Sequence, residues 1–297
     1  MASLKDVKMK ISGVRKTRQI TRAMNMVASA KLRGAQARIE RFRPYAEKYR
    51  SVMAGLASSA DGESHPLLAE HAEKKHCCII MATSDRGLCG GFNAGIINAS
   101  LELAAGRSRA GLEPSFICVG RKGRDAIRKT PYPILRAYGD RMGSIDYALA
   151  GEVADEAIAA YERQELDEVW LVYGRFVSMA QQPPTESSLL PMQTPEMEGA
   201  QSAGGTDGGA GSEYIYEPDE ARLLDSLLPR YIRVQVFSAL LETAASEHAA
   251  RMAAMDNATR NCDEMINTLT LLYNKTRQAT ITSELIDIVG GAEALKG

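Results

Sequence analysis

A chain of 297 residues with 45% hydrophobic content can hold two ordinary domains, or one domain and an extension, around a real core. No apolar run approaches the roughly 18 residues of a membrane span, and the N-terminus lacks the apolar core of a signal peptide, so a soluble chain is expected. Five cysteines, Cys77, Cys78, Cys89, Cys118 and Cys262, are odd in number and lack CxxC spacing. They indicate neither a disulfide framework nor a zinc site, and a reducing compartment fits.

The formal net charge of -1 hides an asymmetry, because residues 1–50 carry fourteen Lys and Arg against three Asp and Glu. In that basic segment a helical pattern runs from Ser3 to about Ala57 in one heptad register, through Leu4, Val7, Ile11, Val14, Ala28, Leu32, Ala35, Ile39, Phe42, Ala46, Tyr49, Met53 and Leu56. Arg18, Thr21 and Asn25 occupy the same register beside a second stripe of Ile20, Met24 and Val27, which predicts that the seam shifts or opens there. Pro44 predicts a kink near residues 40–44.

Ser58 to Lys75 is polar and reads as a solvated connector that carries His65 and His71, with His76 directly after it. A short apolar run, Cys77 to Ala82, follows as a strand buried on both faces. A repeating pattern then gives a helix over 94–105, a strand over 115–119, a helix over 121–129, a strand over 133–138, a helix over 144–162 and a strand over 168–176. Thr185 to Met192 reads as an edge strand, the place where Pro183, Pro184 and Pro191 are tolerated. The alternation predicts an open, Rossmann-like α/β domain with a mostly parallel sheet over residues 76–195. Residues 196–212 are a Gly-rich low-complexity loop with no assigned chemistry.

From 213 to 297 the chain turns helical again, and Tyr231 to Val289 contains neither Gly nor Pro. Such a stretch is roughly 90 Å long as a helix, far beyond what a compact domain needs. Its apolar stripe, Val234, Leu241, Ala245, Met252, Met255, Cys262, Ile266, Leu269 and Leu272, matches the seam of residues 1–58. The fold expected is therefore α/β with a long antiparallel coiled coil of the N- and C-terminal helices.

Candidate chemistry is sparse. Ser84 to Asn93 is a Gly-rich loop between strand and helix, where phosphates can be cradled, yet it has neither a Gly-Lys-Ser/Thr ending nor GxGxxG spacing. Cys89 lacks a histidine base nearby in sequence, and the connector histidines lack regular metal-ligand spacing. No catalytic, cofactor or metal site is assigned. The basic helix itself suits either an acidic protein partner or nucleic-acid phosphates; a nucleic-acid-binding coiled coil is the alternative reading. A further reading is an α/β enzyme that uses the Ser84 to Asn93 loop.

Three stretches resolve this. Ile20 to Leu32 (ITRAMNMVASAKL), Ser84 to Asn93 (SDRGLCGGFN) and Tyr273 to Leu285 (YNKTRQATITSEL) closely resemble the gamma subunits of rotary, proton-driven ATP synthases. The resemblance implies a rotor whose coiled coil passes through a ring of three alpha and three beta subunits, while its α/β domain rests on the membrane c-subunit ring together with epsilon. It implies that ATP synthesis or hydrolysis occurs in the ring, without cofactor or nucleic acid on this chain. It places the alpha/beta contacts on Met24, Arg22, Arg251, Arg277, Gln278 and Thr282, and the contacts to the c ring and epsilon on Tyr214, Tyr216 and Glu217. Simple packing on the α/β domain is the alternative reading of the two tyrosines. The chain lacks the cysteine-bearing regulatory insertion of chloroplast relatives, and no transit peptide is evident. The expected placement is peripheral, on the cytoplasmic face of a bacterial inner membrane, with membrane contact only through other subunits.

Overall fold

The computed structural model describes residues 4–59, 65–192 and 220–294. In chain order these form α1 (Leu4–Ser59), β1 (His76–Ala82), α2 (Phe92–Arg109), β2 (Glu113–Val119), α3 (Arg121–Ile127), β3 (Ile134–Tyr138), α4 (Tyr147–Glu162), β4 (Glu168–Gly174), β5 (Pro184–Leu190) and α5 (Glu220–Ala294). The Gly-rich segment 196–212 lies outside the described residues. The chain divides into two compact units, one of residues 1–28 with 251–297 and one of residues 29–250.

The larger unit is built on a five-stranded sheet of order β3-β2-β1-β4-β5. β1 to β4 are parallel, and β5 pairs antiparallel with β4 at the edge, where its leading Pro184 withholds no needed ladder donor. Alternation along β1 sorts the core into two layers. Cys77, Ile79 and Met81 pack with Phe92, Ile96 and Ala104 of α2 on one face. Cys78, Ile80 and Ala82 pack on the other with α4, the α1 residue Met53 and the α5 residues Leu224 to Ala244. This two-sided cover is why the central strands read as unbroken apolar runs. α4 starts where the Asp146 side chain accepts from the Leu149 N–H at 2.8 Å.

One expectation is corrected: the connector is not solvated where it is described, since Leu67 is fully buried, His65 is 9% exposed, and His71 stacks on Tyr161 with ring centroids 4.5 Å apart. The His71 Nδ1 donates to Asp167 at 2.7 Å, and the other Asp167 oxygen accepts from the Lys75 and His76 backbone N–H groups. A buried carboxylate thus gathers the segment onto the end of β4, which no local sequence pattern announces. α1 continues as helix past Pro44, and α5, which begins at Glu220, continues past Pro229. An interior proline costs about 3 kcal/mol. Burial of Leu224, Leu228, Tyr231 and Ile232 around Pro229 offsets that, at about 1.5–3 kcal/mol per fully buried side chain. Phe42 and Tyr49 hold the α1 side by an edge-on contact to Phe237 and a stacked contact to Tyr231.

Candidate functional site

The smaller unit is a two-helix antiparallel coil made by the first part of α1 and the last part of α5. Its inner face is thin: Val7, Ile11, Thr21 and Met255 are buried, and Leu4, Val14, Met252, Cys262, Ile266 and Leu269 are half-buried. The seam does not shift or open at its polar stretch. Arg18 Nη1 donates to Asp263 at 2.7 Å, the Thr21 and Thr259 hydroxyls meet at 2.8 Å, and Asn25 Nδ2 donates to the Met252 carbonyl at 2.9 Å. Each polar residue of the α1 register bonds α5 directly, so the register carries on through polar contacts. Such buried polar groups are well suited to fixing alignment, at a cost in stability relative to apolar packing.

These three pairs set the alignment of the coil, and continuing it places Leu4 opposite a residue near 277. The last half-buried position of α5 is Thr280, and residues 281–292 are all exposed. The predicted Leu272 is 45% exposed, whereas Tyr273, Thr276 and Thr280 face the seam instead. The seam has moved one residue over, as a straight helix of 3.6 residues per turn drifts against a 3.5-residue repeat. What remains outside is apolar. Leu285, Ile286, Ile288 and Val289 are each more than half exposed, as are Ile20, Met26, Val27, Met265 and Leu271. Apolar groups so displayed on a coil mark a surface that other molecules cover.

Among the residues named from the sequence, Arg22, Arg277, Gln278 and Thr282 are exposed, and Met24 and Arg251 are half-buried. The coil brings them together at two levels. Met24 and Arg22 lie near the turn of α5 that carries Arg251 and Met252, since Asn25 bonds the latter. Arg277, Gln278 and Thr282 form a second group, about 40 Å farther along α5 at 1.5 Å per residue. There the Thr282 hydroxyl donates to the Gln278 backbone carbonyl at 2.9 Å, and Gln278 is exposed. Tyr214, Tyr216 and Glu217 lie outside the described residues. Sequence reasoning missed the exposed apolar end of α5; comparing where the two helical patterns overlap was the signal that could have found it.

In the larger unit, the Gly-rich loop is occupied by its own chain. Asp85 accepts from the backbone N–H groups of Arg121, Asp140 and Met142 at 2.9–3.0 Å, taking the donors that an anion would use. Asn93 accepts from the Ser84 N–H at 3.0 Å and donates to Cys89 Sγ at 3.1 Å. The crevice between β1 and β4, where open α/β sheets admit ligands, is filled: a Cβ on Gly174 would lie 2.4 Å from the Phe92 ring, and the Ser246 hydroxyl donates to the Gly174 carbonyl. Within the loop itself, Gly90 adopts a positive φ of 58°, whereas a Cβ on Gly91 would meet nothing within 4 Å. Gly120, at φ +99°, sits so close to the Thr83 carbonyl that a Cβ would approach it to 2.1 Å.

A parallel α/β sheet flanked by long terminal helices, with a polar-stitched coil and an exposed apolar end, defines a protein whose distinctive surface is helical. The family model described as ATP synthase matches residues 3–295. The chain is 59% identical over 297 residues to the ATP synthase gamma chain of Nitratidesulfovibrio vulgaris strain Miyazaki F, and 56% identical over 296 residues to that of Lawsonia intracellularis, with all of both chains covered in each case. Its fold is similar to the rotor of the Euglena gracilis mitochondrial ATP synthase (TM-score 0.65, 22% identity, 94% of this chain and 98% of that one). It is also similar to the central stalk and c ring structure from Tetrahymena thermophila (TM-score 0.59, 24% identity, 80% and 99%). The chain belongs to the ATP synthase gamma chain family, and so to a subunit of an enzyme complex. That membership leaves the nucleic-acid reading of the basic helix without support.

Proposed function

We propose that this chain is the central rotor shaft of a bacterial F-type ATP synthase and has no catalytic residues of its own. The observation that carries the reading is the two-helix coil with its exposed apolar end and two levels of exposed polar side chains. An asymmetric shaft presents different side chains to each of three equivalent partners, so turning it biases their open and closed states one after another. The alpha and beta subunits, three of each, would surround the coil at Met24, Arg22 and Arg251 and again at Arg277, Gln278 and Thr282. Solved relatives seen in a central stalk with its c ring and in an assembly of OSCP, F1 and c ring support the same set of neighbours for this chain. The epsilon subunit and the c ring would contact the segment with Tyr214, Tyr216 and Glu217 and the α/β domain of residues 76–195. No helix among the described residues is long and apolar enough to cross a membrane, which suits attachment through other subunits on the cytoplasmic face of the inner membrane.

Co-expression with the organism's alpha and beta subunits tests the proposal. It expects one copy of this chain per three alpha/beta pairs and ATPase activity that rises when the chain is included. Recovery of an equally active alpha/beta complex without the chain would refute it.

A further inference from the structure

Within the sheet-bearing part of the larger unit, positive charge concentrates where α3 leads into β3. Residues 121–141 hold seven Arg and Lys against two Asp, in a chain whose net charge is -1. α3 and the edge strand β3 bound a cleft of about 490 Å³ lined by Arg124, Arg128, Tyr132, Leu135 and Arg136. Arg124 and Arg128 are four residues apart and so share one side of their turn, while Arg136 enters from the strand. Arg124 is tied to Asp125 at 2.8 Å, and Arg136 reaches Glu156 only at 3.4 Å with 58% of its side chain exposed. Arg128 is exposed and, among the described residues, has no carboxylate within ion-pair distance. Tyr132 is half-buried, its ring fixed against Phe116 at 5.7 Å.

Planar guanidinium groups that converge from two elements suit the oxygens of phosphate, which they bind through paired N–H donors. We propose that this cleft binds a small polyphosphate, with Arg128 and Arg136 as the principal phosphate ligands and Arg124 as a third cation. The ligand is either a free polyphosphate or the phosphate tail of a nucleotide; in the second case the Tyr132 ring lies in reach of the base. The crevice between β1 and β4 is closed, so this site is separate from the position where α/β sheets ordinarily admit nucleotides.

The test is calorimetric titration of the full chain with pyrophosphate and, separately, with ATP, at low salt. Saturable binding at one site is expected, weakened at least tenfold by Arg128→Ala with Arg136→Ala and less by Arg128→Lys, which keeps the charge without the fork. Arg163→Ala, an exposed arginine paired with Glu165, serves as the control and should bind as the parent does. Similar affinity for both probes would assign the site to the phosphates alone, and tighter ATP binding would assign it to a nucleotide. Absence of binding by either probe, an unaffected double variant, or equal weakening in the control would overturn the proposal.

Discussion

The two units of this chain solve opposite problems. In residues 29–250 every central strand is covered on both faces, and Gly120 and Gly174 sit where not even a methyl group fits. In the terminal coil, by contrast, one narrow seam holds two helices, three of its layers are polar, and large apolar side chains face outward. The first unit carries its own stability in a core, whereas the second leaves apolar surface for a partner to bury. That difference assigns stability to one unit and coupling to the other, and it can be tested one unit at a time.

The largest effect belongs to the core. Gly120→Ala forces a methyl group toward the backbone carbonyl of Thr83 at a positive φ, and we expect a loss of about 3 kcal/mol in urea unfolding. In the coil, Asn25→Ala removes a single seam hydrogen bond and should cost about 1 kcal/mol by thermal melting. Arg18→Ala, which breaks a partly exposed ion pair, should cost less than about 1 kcal/mol. A loss from Asn25→Ala that rivals Gly120→Ala would erase the distinction between the units.

Two carboxylates of the larger unit, the buried Asp167 and the half-buried Glu242, sharpen the comparison through pH. For Asp167, burial pushes the carboxyl up, but the His76 and Lys75 backbone N–H groups and His71 pull it below its ordinary 3.8. Its contribution is present above that value and is lost as pH falls through the depressed folded pKa. Asp167→Asn should therefore flatten the acid limb of the stability curve. For Glu242, burial raises the carboxyl above its ordinary 4.5, against the Phe176 N–H, Arg175 and Arg43. Stability is then lost as pH rises from 4.5 through the raised pKa, and Glu242→Gln should remove that decline. Denaturant midpoints measured from pH 3 to 8, a range of roughly the carboxylate and histidine pKa values, would show the two opposite slopes.

The smallest effect on the chain itself is expected at the end of α5. Leu285→Asp with Ile288→Asp alters side chains that are already exposed and should change the melting of the isolated chain by no more than about 0.5 kcal/mol. The same pair should lower the yield of complex with alpha and beta subunits, because it puts charge where a partner buries apolar surface.

Much of this design was legible in the sequence, for reasons that differ by element. The strand from Cys77 to Ala82 announced itself because a strand buried on both faces has no polar position. The heptad register of α1 was likewise visible from Leu4 to Met53, and the structure buries or half-buries its positions. The outcome at Arg18, Thr21 and Asn25 was not visible, since whether a polar seam opens or bonds depends on residues more than 200 positions away. The connector misled for a similar reason: His65, His71 and the buried Leu67 look like linker composition until Asp167 and Tyr161 are brought beside them. At the candidate site, motif resemblance named exposed side chains of the coil, but the two levels into which they group came from the alignment of the helices. The apolar end of α5 was hidden because a periodic pattern shows that a face is apolar without showing what covers it.

The most direct test of the shaft is to watch it turn. With the alpha/beta ring fixed to a surface and a bead attached through Glu113→Cys, at a side chain 83% exposed on the larger unit, ATP should drive one-directional rotation with three dwell positions per turn. A complex that hydrolyses ATP while the bead stays still, with the chain shown to be bound, would contradict the account.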